Sequence, residues 1–130
     1  MKKLILLSII LIVGNLFIGC TLVNVPWVIQ DLSHTGEIRE GMTPDEVLVI
    51  MGEPIISELK NNVEEWHYCR TGSMRTLQKD TFVALYFLDN KLIAKEHYIA
   101  IEGYGSCENF IKTGDYKVPP QVQEIWDENN

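Results

Sequence analysis

Three histidines, three cysteines and the acid pairs Asp45-Glu46 and Glu64-Glu65 are the residues of this 130-residue chain whose types could do chemistry. His34, His67 and His97 are dispersed, at spacings that match no zinc motif. On neighbouring strands His67 and His97 could face each other, with Glu65 and Glu96 nearby as a weak metal site. The preferred reading makes them polar residues on a solvent face. Asp45 and Glu46 sit where a helix begins and complement its dipole. Glu64 and Glu65 alternate to opposite faces of a strand, so they cannot act together as acid and base. Cys69 lies beside Arg70 and two residues from His67, a setting that favours a thiolate. A bond to Cys107 accounts for it more simply. No serine elbow, phosphate-cradling glycine loop or cysteine–histidine nucleophile pattern occurs. The expectation is no catalytic residue, no metal, no cofactor and no enzyme.

Cys20 points to different chemistry. Lys2 and Lys3 precede an apolar run from Leu4 to Val13, and Phe17-Ile18-Gly19 leads directly into Cys20. A charged segment, an apolar segment and a small residue before a cut site form the pattern of a secretory signal. With a cysteine next in line, the segment resembles the lipobox of bacterial lipoproteins, whose thiol is acylated before the bond ahead of it is cut. That resemblance implies a mature chain starting at Cys20 and held to membrane lipid by acyl chains. The alternative is an uncleaved membrane-spanning anchor, since Leu4 to Val23 is about 20 residues long; Gly14-Asn15 in its middle stands against it. Thr21 is not the aspartate that retains many such proteins at the inner membrane. The expected address is therefore the outer membrane, facing the periplasm, with inner-membrane anchoring as the alternative.

Composition agrees with a lipid tether. Residues 1–19 carry two lysines and no acid, so the remaining 111 residues hold 9 basic and 18 acidic residues, a net −9 against −7 for the whole chain. Such a surface lacks the cations that neutralise phosphates, which excludes nucleic acid as a partner held by bulk charge. It also argues against adhesion to anionic lipid through the protein itself. With Cys20 acylated, Cys69 and Cys107 remain as a pair in an oxidising compartment. A disulfide across the 37 residues between them would stabilise by roughly 3–4 kcal/mol. Two buried free thiols are the alternative.

The elements that must position these residues are legible in parts. Residues 20–33, with Pro26 and no clear period, read as a lipidated tether. A short helix is expected from Ser33 to Glu40, weakened by Gly36. Thr43 is a good N-cap, Pro44 suits the first helical position, and Glu46 completes a capping box. Val47, Ile50 and Met51 then share a face, Gly52 ends the helix and Pro54 prevents its continuation. Extended segments follow over 55–60, 63–70, 81–88 and 91–100, with Asn61-Asn62 and Asp89-Asn90 as turns. Trp66 and Tyr68 fall on one strand face, and Glu65, His67 and Cys69 on the other. Leu85 and Phe87, with Leu92 and Ala94 or Ile93, should supply the sheet face for the helices. Residues 71–80 read as a loop. After residue 100 the pattern lapses into an irregular tail, in which Val122, Ile125 and Trp126 could form one last helical turn. The expected fold is α+β: two short N-terminal helices on a three- to four-stranded antiparallel meander.

The ordered set Gly41-Met42-Thr43-Pro44 with Val47, then Met51-Gly52-Glu53-Pro54, Trp66-His67-Tyr68 and the Phe82–Phe87 hairpin resembles the SmpA/OmlA (BamE-like) family of small outer-membrane lipoproteins. The likeness covers about residues 37–99. Gly41, Met42, Thr43, Val47, Gly52, Pro54, Trp66 and Tyr68 carry it, each with a structural reason to exist. It implies a domain spanning 34–100, with a signal at 1–19 and an extension at 101–130. It also implies work by binding, as an accessory to outer-membrane protein assembly or envelope integrity. Tyr86, Tyr98, Ile99 and Tyr104 are candidates for the partner surface. The alternative is a stress-specific or inhibitor-like periplasmic module that uses the 70–80 loop.

Overall fold

Both hairpin turns are written by asparagine. Asn61, Asn62, Asp89 and Asn90 all have positive φ, between 48° and 66°. Two successive left-handed residues make a type I′ turn, whose twist matches that of paired strands. In the computed structural model, which describes residues 30–72, 78–99 and 116–129, these turns join strands β1 (Ile56–Lys60) to β2 (Val63–Arg70) and β3 (Thr81–Leu88) to β4 (Lys91–Ile99). The sheet is antiparallel throughout in the order β1-β2-β3-β4. Ahead of it come a 3-10 helix (Ser33–Glu37) and helix α1 (Pro44–Met51), and after it helix α2 (Pro120–Glu128). The architecture is α+β, as expected. The first of the two expected helices is a single 3-10 element, with no side-chain cap at its start. Residues 1–29, including Cys20, and Cys107 and Tyr104 lie outside the described residues.

α1 has the ends its sequence specifies. The Thr43 hydroxyl accepts from the Glu46 amide at 3.3 Å, and the Glu46 carboxylate accepts from the Thr43 amide at 2.8 Å. Those Thr43 hydrogen bonds, backbone first, hold the Glu46 carboxyl below the usual carboxylate range. At the far end, Gly52 takes φ +73°, a conformation open to glycine, while its amide donates to the Leu48 carbonyl. Thr43→Ala removes the hydroxyl half of the box, leaving the Glu46 amide without its acceptor, and is expected to cost about 1 kcal/mol in urea unfolding. An unchanged midpoint would mean that the cap contributes nothing here.

The Gly41 turn also fixes α1 to the sheet. Gly41, at φ +85°, donates its amide to the Leu92 carbonyl, and the Leu92 amide returns a bond to Met42, both at 2.8 Å. This loop therefore pairs with the outer edge of β4, covering backbone groups that would otherwise be open. Lys95 adds a second tie: its ammonium donates to the carbonyls of Thr35 and Ile38 at the end of the 3-10 helix.

The core has two layers, one on each side of the sheet. On the first face Trp66, Tyr68, Val83, Leu85, Phe87 and Leu92 pack against Ile38 and Val47. On the second, Val63, Ala84, Tyr86 and Ala94 pack against Val122 and Trp126 of α2. Ala94, expected beside Leu92, lies on the second face. A register shift between Tyr86 and Phe87 pairs Phe87 with Leu92 but Tyr86 with Ala94. That bulge leaves Ile93 as the extra residue and turns the strand over.

Candidate functional site

On the first face every aromatic polar handle has a partner. Trp66 Nε1 donates to the Glu64 carboxylate at 2.6 Å, and Tyr68 Oη donates to the Gly52 carbonyl at 2.8 Å. Burial pushes the Tyr68 phenol well up, with the Glu53 charge adding to it. Trp66 also stacks on Phe87, with ring centroids 4.7 Å apart and planes tilted by 56°. The motif residues Gly41, Met42, Thr43, Val47, Gly52, Trp66 and Tyr68 are thus accounted for as fold-building contacts around this layer.

The second face holds a buried polar cluster. Glu65 and His67 are each 5% exposed, so neither is the solvent-face residue expected of it. His67 Nε2 lies 2.7 Å from Glu65 Oε1. Because a carboxylate only accepts, that nitrogen carries the hydrogen. Tyr116, from the C-terminal extension, donates its hydroxyl to the same oxygen at 2.8 Å. Burial pushes the Glu65 carboxyl up, but the His67 and Tyr116 hydrogen bonds outweigh it and hold the group below its ordinary value. The Tyr116 ring meets His67 edge-on and tilts against Tyr98, whose hydroxyl donates to the Lys117 carbonyl. Burial, with Glu96 adding to it, pushes the Tyr98 phenol up to about 12.

Further along the same face, α2 is seated by its own aromatic. Trp126 packs edge-on to Tyr86, its carbonyl accepts from Asn61 Nδ2 at 3.0 Å, and the Lys60 ammonium sits 3.6 Å over its ring. Not all of this layer is satisfied. His67 Nδ1, Tyr86 Oη and Trp126 Nε1 are buried with no hydrogen-bond partner among the described residues. Tyr86 Oη adds to the lowering of the Glu65 carboxyl, but from outside hydrogen-bonding geometry. Such unpartnered atoms each cost about 1–3 kcal/mol.

His67 and His97 are not brought together. His97 pairs with Val83 of the first face, whereas His67 pairs with Ala84 of the second. Among the described residues no cluster of histidine, cysteine and acid could hold a metal ion. Of the partner-surface candidates, Tyr86 is fully buried behind Trp126, a correction imposed by the second layer. Tyr98 is half-buried, and Ile99 is 62% exposed at the end of β4. Val49 on α1 and Leu59 on β1, at 87% and 75%, are more exposed still. Neither stands out in the sequence, because both sit inside periodic apolar segments.

The chain ahead of the 3-10 helix is fastened to the sheet at Gln30. Gln30 donates its backbone amide to the Cys69 carbonyl at 3.3 Å, accepts from the Cys69 amide at 2.7 Å, and donates through Nε2 to Glu53. It occupies the edge of β2 beyond the start of β1 at Ile56. The base of the 70–80 loop is closed by Asp80, fully buried, whose carboxylate accepts from the Gly72 amide at 2.6 Å. No described helix is long and apolar enough to cross a membrane.

No curated protein matches the chain. A family model does: the outer membrane protein assembly factor BamE domain, over residues 31–97. The match begins one residue after Gln30 and ends within β4, so it takes in the 3-10 helix, α1 and nearly the whole sheet and leaves out α2. Spanning more than half of the sequence, it shows that this chain belongs to the BamE-domain family.

Proposed function

We propose that this protein is a non-enzymatic, lipid-anchored binding module that takes an accessory part in outer-membrane protein assembly, with Cys20 as the acylated residue and the domain facing the periplasm. The BamE-domain match is the observation that carries this reading. The lipobox-like Phe17-Ile18-Gly19-Cys20 supports the anchor. A Cys69–Cys107 bond belongs to the same picture: Cys69 is fully buried, and these two cysteines remain once Cys20 is acylated. The exposed side chains Val49, Leu59 and Ile99 are the apolar contacts the described surface offers a protein partner.

Affinity capture of the tagged full chain from membranes is expected to recover subunits of the barrel-assembly machinery, and recovery of none would sink the proposed role. Intact mass of the purified protein should show acyl chains at an N-terminal Cys20 and the disulfide rather than the dithiol form. A Cys20→Ala variant should leave the membrane fraction. Retention there, uncleaved, would replace the lipid anchor by a spanning one.

A further inference from the structure

Every buried side-chain polar atom that lacks a partner among the described residues lies on one side of the sheet: His67 Nδ1, Tyr86 Oη and Trp126 Nε1. The first face uses the same residue types, Trp66 and Tyr68, and satisfies both. The segment that covers the second face is also the weaker helix. Both helices begin on a proline and neither has a basic residue in its last turn, but α1 adds a capping box and two acids in its first turn. α2 has no side-chain cap, and Asp127 and Glu128 in its last turn oppose the helix dipole. It lies beyond residue 97, where the family match ends. What it seats is nevertheless specific. Val122 and Trp126, four residues apart, are 0% and 4% exposed, and the small side chains of Ala84 and Ala94 hollow the sheet where they pack.

We infer that the second sheet face is a docking groove for an amphipathic helix bearing an aliphatic and an aromatic side chain four residues apart, and that Tyr116–Glu128 is its displaceable intramolecular occupant. This rests on the reading of the protein as a binding module and adds to it a place and a control. A partner helix with the same pair of side chains, and with groups to meet Tyr86 Oη and His67 Nδ1, would out-compete the chain's own segment. While α2 is seated, binding falls to the outer surfaces; when it leaves, the groove opens.

A synthetic peptide of residues 117–129, titrated by NMR into the full chain in detergent, tests this directly. In the native protein the tethered segment competes at an effective concentration on the order of millimolar. Trp126→Ala removes its anchor, so the peptide should bind the variant at least about 10-fold more tightly than the native protein. Equal affinity, or no binding to a variant that keeps its sheet signal, overturns the inference. Tyr86→Phe gives a second reading because it deletes one orphaned hydroxyl. Amide exchange in α2 should slow by about 10-fold relative to β3; unchanged or faster exchange overturns it too. Neither readout uses an assembly-machinery subunit, so failure to capture that machinery would leave this inference standing.

Discussion

Replacing Trp66 by alanine is expected to destabilise the domain by about 3–5 kcal/mol, the usual cost of emptying a large aromatic site in a packed core. The reason is local. Trp66 is 5% exposed, stacks on Phe87 and stands among Ile38, Val47, Leu85 and Leu92, so the void is walled by α1, the end of the 3-10 helix and the sheet. The same change strips Glu64 of its indole donor. Against a total stability of about 5–15 kcal/mol, this is a large share. The thermal midpoint should fall by roughly 15–20 °C. Trp66→Phe keeps most of the volume and loses the hydrogen bond, so its fall should be clearly smaller. A Trp66→Ala variant that melts with the native protein would mean that the first layer does not hold the fold together.

That first layer is legible in the sequence because its signals are redundant. Thr43, Pro44, Glu46 and Gly52 define both ends of α1, and α1 begins and ends where they place it. Two asparagine-bearing turns fix the registers of both hairpins, and β2 and β3 have the expected bounds. The second layer is harder to read. Val122, Ile125 and Trp126 have visible helical spacing, but nothing local says which sheet face receives them. Thr81–Leu88 does carry a signal: a run apolar at nearly every position needs cover on both faces. Glu65 and His67 look solvent-facing because alternation alone cannot see a distant segment folding over them. Ala94 falls on the opposite face from the one its spacing suggests because a bulge adds a residue without altering composition. The 3-10 helix stops short of its expected span because Gly36 and the missing cap leave a longer helix without support.

Glu65→Ala should cost about 3–5 kcal/mol, because breaking a buried hydrogen-bonded pair strands the partners left behind. Both His67 Nε2 and the Tyr116 hydroxyl would lose their acceptor in a layer that already holds three orphaned atoms. The pH dependence separates this from simple cavity formation. In the folded protein the Glu65 carboxyl titrates below its ordinary value of 4.5. A depressed folded value means that the stabilisation is fully present above the unfolded value and disappears as pH falls through the folded one. The native protein should therefore lose stability steeply in acid, below about pH 4.5, and the variant should lose less over the same interval. Glu46 and Asp31, also depressed but solvent-exposed, titrate in the same window in both proteins and cancel in the difference. His34 works in the opposite sense: the Glu37 hydrogen bond raises it, so its contribution is present below 6.5 and fades at higher pH, again equally in both. Urea unfolding of the two proteins between pH 3 and 8 isolates the Glu65 share. Parallel curves would show that its carboxylate is not ionised against His67 and Tyr116, and the polar latch between sheet and C-terminal segment would then have to be neutral.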